Sequence, residues 1–249
     1  MSKGKLYLTG AGAGDKNFLT IKAYELIIDA DAVIYDRLVD PSIIDLIPQN
    51  ALKVFAGKEP DKHHMTQDEI NQKMVDLSSQ YQKIIRLKGG DPFIFGRAGE
   101  EAEFLKKHDV EFEVIPAISA FQIGATEYNI PLTFRKLSDG LTIISGHKYN
   151  SEEPNLDWES LAKLNHTLVI YMGVGNSEVI CKRLIENGMN PETPAFAGQE
   201  VGTKNSKELY STLENFAVDI KNQNIKNPAI IVIGEVVRKS QELQFKSGI

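Results

Sequence analysis

The sequence predicts an α/β protein of two α/β domains, residues 1–120 and 121–249, and three observations carry that expectation. Short apolar runs alternate with longer amphipathic stretches along the chain, the rhythm of strands joined by crossover helices. A glycine turn, Gly10-Ala11-Gly12-Ala13-Gly14, directly follows the first apolar run and leads into a helical pattern, which is how a βαβ unit opens. After a helical stretch that ends in Asn129-Ile130-Pro131 the punctuation changes, so the domain boundary falls near residues 118–130.

In the first half, strands are expected at Lys5–Thr9, Ala32–Tyr35, Leu52–Ala56, Lys83–Leu87 and Phe112–Ile115, each a short apolar run bounded by turn residues. Helical spacing of apolar residues falls at Leu19–Ile28, Gln67–Ser79 and Glu100–Lys107, completing a doubly wound α/β arrangement. A helix over Ser119–Tyr128 leads into the second half. There, strands are expected at Leu141–Ser145, Thr167–Met172, Pro194–Ala197 and Ala229–Gly234.

Composition narrows the function. With 34 acidic and 28 basic residues the formal charge is -6, which argues against a nucleic-acid binder and requires a local basic patch for any anionic substrate. Cys181 is the only cysteine and reads as a small buried hydrophobe on a helix, which suits a reducing, cytoplasmic compartment. Met1 to Tyr7 shows no apolar stretch long enough for a signal peptide or membrane span, so no membrane association is expected. His63-His64 lacks a nearby cysteine or acidic pair to complete a ligand set, and no metal is expected.

Two glycine turns carry the chemistry. The first, through Asp15, places bare backbone amides between a strand and a helix. Its G-x-G-x-G spacing matches the dinucleotide fingerprint only in part, with Asp36 as a possible ribose acid, so a nicotinamide-dependent oxidoreductase is the rival reading. The second, Arg86-Leu87-Lys88-Gly89-Gly90-Asp91-Pro92-Phe93-Ile94-Phe95-Gly96-Arg97, also follows a strand and lacks a phosphate-loop ending. Paired glycines before Asp-Pro make a sharp turn whose amides and carboxylate could hold an amino-acid-like or ribose-like group.

This second turn resembles the uroporphyrinogen-III C-methyltransferases of the tetrapyrrole methylase family, and the resemblance spans nearly the whole chain. It includes the opening turn through Asp15, Tyr35-Asp36-Arg37-Leu38-Val39, Gly57-Lys58 with His64, Gln67 and Glu69-Ile70-Asn71, and Arg86 to Glu101. It continues through Pro131-Leu132-Thr133 with Arg135, Ser145-Gly146-His147, Asp157-Trp158 with Leu161-Ala162, Thr167 to Gly173, and Pro228-Ala229 through Val237. The chain departs from the family pattern at Ala13, Lys16, Ala117, Ala120 and Phe134.

The resemblance implies a cofactor cleft between the two α/β domains, a homodimer, and transfer of two methyl groups from S-adenosyl-L-methionine to uroporphyrinogen III. The products are precorrin-2, for sirohaem or cobalamin, and S-adenosyl-L-homocysteine; another precorrin methylase of the same family is the nearest alternative. Implied cofactor contacts are Ala13, Gly89, Gly90, Asp91, Ile94, Ser119, Ala120, Met172, Ala197 and Ala229. The substrate carries eight carboxylates, for which Arg37, Arg97 and Arg135 are the candidate partners, arginine being able to bind carboxylate through two parallel hydrogen bonds. Methylation at carbon leaves a proton to be lost. Glu100 lies three residues from Arg97 on a helix, so the two form the candidate catalytic pair; the same spacing also suits a plain surface ion pair.

Overall fold

The computed structural model describes residues 3–57, 65–147 and 154–243, and the chain divides into two compact units, Met1–Ala120 and Phe121–Ile249. In the first unit β1 (Lys5–Gly10), β2 (Ala32–Tyr35), β3 (Leu52–Phe55), β4 (Lys83–Lys88) and β5 (Phe112–Ile115) form one sheet in the order β3-β2-β4-β1-β5. Every pairing is parallel. Parallel strands need crossovers, supplied by α1 (Ile21–Ile28), α2 (Pro41–Ile44), α3 (Gln67–Ser78) and α4 (Ala98–Lys107).

Alternation along the strands sends apolar residues to both faces. Leu6, Leu8, Ala32, Ile34 and Ile84 pack with Ile70, Met74 and Leu77 of α3 and Leu105 of α4, whereas Val33, Ile85 and Leu87 pack with Ile27 of α1 and Ile43 of α2. Helices therefore cover the sheet on two sides, which is why its central strands read as almost unbroken apolar runs.

Caps explain where the helices start. The pattern expected from Leu19 begins at Ile21 because the Thr20 side chain accepts from Ala23 N, while Leu19 closes a short 3-10 turn over Lys16–Phe18. The helix expected from Glu100 starts two residues earlier, with Arg97 as its left-handed N-cap (φ 60°). At α3 the cap is reciprocal: Thr66 Oγ1 accepts from Glu69 N, and Glu69 Oε2 accepts from Thr66 N. Thr66→Ala is expected to lower the unfolding free energy by about 1 kcal/mol in urea titrations; a shift below about 0.3 kcal/mol would show that tertiary packing alone holds the α3 terminus.

The second unit begins with α5 (Ala120–Glu127, its first residue at the division point) and is a mixed sheet of β6 (Gly140–Ser145), β7 (His166–Tyr171), β8 (Pro194–Gln199), β9 (Lys207–Thr212) and β10 (Ala229–Ile233), ordered β6-β7-β10-β8-β9. β6 and β7 are parallel; the remaining neighbours are antiparallel. Strand β9 was not expected from the sequence. Lys-Glu-Leu-Tyr-Ser-Thr buries only Leu209 fully, so its apolar signal is weak, and pairing with β8 makes it an edge strand.

Helices α6 (Trp158–Lys163), α7 (Ser177–Glu186) and α8 (Phe216–Asn222) pack Leu161, Ile180, Leu184, Phe216 and Ile220 against Leu168, Ile170, Ala195 and Ile231. Cys181 sits in that core, where burial pushes its thiol up to about 12, so it is no ready nucleophile. A last short helix, α9 (Lys239–Leu243), ends the described chain.

Candidate functional site

In a parallel sheet all strands end at one edge, and the loops leaving that edge carry most of the first unit's candidate residues. The turns after β1 and β4 pair with each other: Gly12 N donates to Gly90 O at 3.3 Å and Gly90 N donates to Gly12 O at 2.8 Å. Close approach is what requires glycine at Gly10, since a Cβ there would lie 2.5 Å from the Ala117 Cβ and 2.7 Å from Gly90 O. Gly90 differs. Its φ is +73°, and a Cβ built on it meets nothing within 4 Å, so the main chain here faces open space.

The Asp91 carboxylate is engaged on both oxygens, accepting from Phe93 N (2.9 Å) and from Ala117 N (3.0 Å), which ties the β4 loop to the β5 loop. Ala13 and Ile94 are half-buried in these loops, and Ser119 is buried just before the half-buried Ala120. Phe95 and Arg97, neither of them glycine, hold φ of 54° and 60° in the same loop. Left-handed conformations at such residues concentrate where a loop has a function.

Arg97 and Glu100 do meet. Arg97 Nη2 lies 2.5 Å from Glu100 Oε2 and Arg97 Nε donates to Glu100 Oε1 at 3.1 Å, with both side chains more than half exposed. The Arg97 hydrogen bonds hold the Glu100 carboxyl below its ordinary range, outweighing the opposing effect of partial burial. Arg37 is exposed at the carboxyl end of β2 and makes no ion pair among the described residues. In the second unit, Arg135 is likewise exposed, in the segment after α5.

Also in the second unit, Met172 directly follows β7 with φ 55° and is 43% exposed, a strained and accessible apolar residue. Ala197 is fully buried in the middle of β8, and Ala229 is half-buried at the start of β10, where the two pack into the core. Lys58, His63 and His64 lie outside the described residues. Among the described residues no three His, Cys, Asp or Glu side chains gather as metal ligands, and no helix is long and apolar enough to cross a membrane.

Beneath the second turn lies a charged cluster to which the sequence reading gave no part. Arg86, 2% exposed, donates through Nη2 to Asp36 Oδ1 at 2.7 Å and through Nε to Glu101 Oε1 at 3.1 Å. Lys88 Nζ donates to the same Glu101 oxygen at 3.0 Å. Burial, reinforced by the Arg86 cation, pushes the Lys88 ammonium below the lysine range despite Glu101. Burial also opposes charge on Arg86, but Glu101 and Asp36 outweigh it and hold the guanidinium above its ordinary value. Asp36, half-buried beside Arg37, is thus committed to Arg86 rather than free as a ribose acid. The available signal was two cations in β4, a strand sheeted on both sides, which cannot be buried without carboxylate partners.

The chain is similar to known proteins in sequence and in fold. Residues 5–217 match the model of the tetrapyrrole (corrin/porphyrin) methylases. The siroheme synthase of Nitrosomonas eutropha is 42% identical over 243 residues, which cover 97% of this chain and 51% of that protein, so the chain spans about half the length of the curated relatives it matches. The native uroporphyrin III C-methyl transferase of Thermus thermophilus superposes with a TM-score of 0.82 at 35% identity, covering 95% of this chain and 94% of that one. The Thermus enzyme complexed with S-adenyl homocysteine gives 0.81 at 36%, covering 95% and 100%. With the family pattern running through both units, the chain belongs to the tetrapyrrole (corrin/porphyrin) methylases, a family of methyltransferases.

Proposed function

We propose that the protein is a uroporphyrinogen-III C-methyltransferase, which transfers two methyl groups from S-adenosyl-L-methionine to carbon atoms of the tetrapyrrole to give precorrin-2. The observation that carries the reading is the paired Gly12 and Gly90 turn, whose main chain at Gly90 faces open space at the carboxyl edge of a parallel sheet. A bulky cofactor can approach such a surface closely, and the Thermus relative crystallised with S-adenyl homocysteine supports the same use here. When bound, the cofactor supplies an already electrophilic methyl group.

The chain's own work is to hold and orient. Gly89, Gly90 and Ile94 of the segment after β4, with Ala13 of the segment after β1 and Ser119 and Ala120 of the segment after β5, receive the cofactor through backbone and small side chains, while Asp91 keeps the loops in shape through Phe93 N and Ala117 N. In the second unit, of the residues the family likeness offers as cofactor contacts, Met172 is exposed and Ala229 half-buried, whereas Ala197 is fully buried in the core. Arg37 and Arg97, both exposed in the first unit, bind substrate carboxylates and so give an acidic protein a local cationic surface; Arg135, exposed in the second unit, is a further carboxylate partner.

Glu100 takes the proton released after methylation. In the free protein its basicity is suppressed by Arg97; a substrate carboxylate that draws Arg97 away restores it, so the base is strengthened by substrate docking. Glu100→Gln is expected to lower turnover at least about tenfold while S-adenosyl-L-homocysteine affinity stays within about twofold. Normal turnover in that variant removes the assignment and leaves an ordinary i, i+3 pair worth about 0.2–0.5 kcal/mol.

The buried, lone Cys181 supports a cytoplasmic location, and the family resemblance supports a homodimer. The reading is tested by incubation with fresh uroporphyrinogen III and labelled S-adenosyl-L-methionine. Mass spectrometry is expected to find a gain of one and then two methyl groups, and no gain would direct attention to a later precorrin substrate.

A further inference from the structure

Three donors from two elements converge on one atom at the carboxyl end of β4. Glu101 Oε1 accepts from Arg86 Nε at 3.1 Å, Lys88 Nζ at 3.0 Å and Gln67 Nε2 at 3.1 Å. Glu101 is fully buried, yet its second oxygen, Oε2, has no hydrogen-bond partner among the described residues. A carboxylate kept for stability alone would have donors on both oxygens, because an orphaned buried acceptor costs about 1–3 kcal/mol. Tolerated violations of this kind gather where placement matters more than stability.

What Glu101 places is visible from its neighbours. It stands beside Glu100 in the first turn of α4, so clamping its carboxylate to β4 and α3 fixes the rotation of the turn that carries Arg97 and Glu100. Arg86 then spans from Glu101 to Asp36, and Asp36 adjoins Arg37 at the end of β2. The backbone pairing of the glycine turns, by contrast, uses Gly12, Gly90 and the bond from Ala11 N to Lys88 O, and does not involve the Glu101 side chain.

We infer that Glu101 is a positioning residue which, through Arg86, holds the Arg97 and Glu100 turn of α4 in register with the Asp36 and Arg37 end of β2. The inference rests on the proposal that these arginines receive the tetrapyrrole. It assigns Glu101 to the substrate side of the reaction and not to the cofactor side, and that split is measurable.

In Glu101→Gln, the shape is kept and the charge removed. kcat/KM for uroporphyrinogen III is expected to fall at least about tenfold while the Kd for S-adenosyl-L-homocysteine stays within about threefold. Combined with Asp36→Asn, the loss is expected to be smaller than the product of the separate losses by about fivefold or more, since both act through Arg86. Should Glu101→Gln not fold, Glu101→Asp, which keeps the charge but withdraws it by one methylene, is expected to show the same split.

Unchanged kcat/KM, a proportional loss of cofactor affinity, or multiplicative double-variant effects each overturn the inference. If the wild-type protein methylates no uroporphyrinogen III, the substrate proposal fails, and Glu101 is judged from a crystal structure of Glu101→Gln. Displacement of the Arg86 and Asp36 side chains by more than about 0.5 Å is then expected, and unmoved side chains overturn the inference.

Discussion

Gly90→Leu is expected to weaken S-adenosyl-L-homocysteine binding by about 100-fold or more and leave a folded protein. Two features of the same residue set these opposite outcomes. No protein atom lies within 4 Å of where a Cβ would stand, so the branch point displaces nothing and the main structural cost is the left-handed strain at φ +73°, about 1–2 kcal/mol. That same space is the proposed cofactor surface, and a leucine would stand in it. A 100-fold loss corresponds to about 2.7 kcal/mol of binding free energy, comparable to excluding part of a tightly held ligand. Titration calorimetry on the folded variant decides the matter. Affinity within about threefold of wild type would show that no cofactor rests on Gly90.

Arg86→Met should have the largest effect on stability, about 3–5 kcal/mol by urea unfolding. Methionine matches much of the arginine's length and apolar stem, so the deficit is electrostatic: Glu101 loses one of its three donors and Asp36 loses its partner. Arg37→Met, three elements before Arg86 in chain order yet adjacent to Asp36, provides the contrast. Arg37 is exposed and without an ion pair among the described residues, so its replacement is expected to change stability by less than about 0.5 kcal/mol. If Arg86→Met cost under 1 kcal/mol, the buried cluster would be an incidental packing of charges, relieved by water or by proton movement on Lys88.

Legibility in the sequence followed how local each feature is. The first unit's strands were readable because each is a short apolar run between turn residues, and Thr20 and Thr66 mark helix starts through contacts only three residues long. β9 was not readable, because Lys207 to Thr212 becomes a strand by pairing with β8, and all of its residues but Leu209 stay exposed or half-buried. The Arg97 and Glu100 pair was anticipated from helical spacing alone. Arg86 and Lys88 were quoted within a motif but assigned nothing, since their partners Asp36 and Glu101 lie 50 and 13 residues away.

By itself, then, the amino-acid order determined the α/β class, the two glycine turns, their place after strands and the family likeness, all of which depend on periodicity and on neighbours a few residues apart. Only the tertiary structure decided that β4 is central, that its two cations share one carboxylate oxygen, that Asp36 is bound to Arg86, and that Gly90 faces open space. The physical reason is that burial and charge pairing are properties of what packs around a residue, and parallel strands bring together groups that the chain keeps far apart.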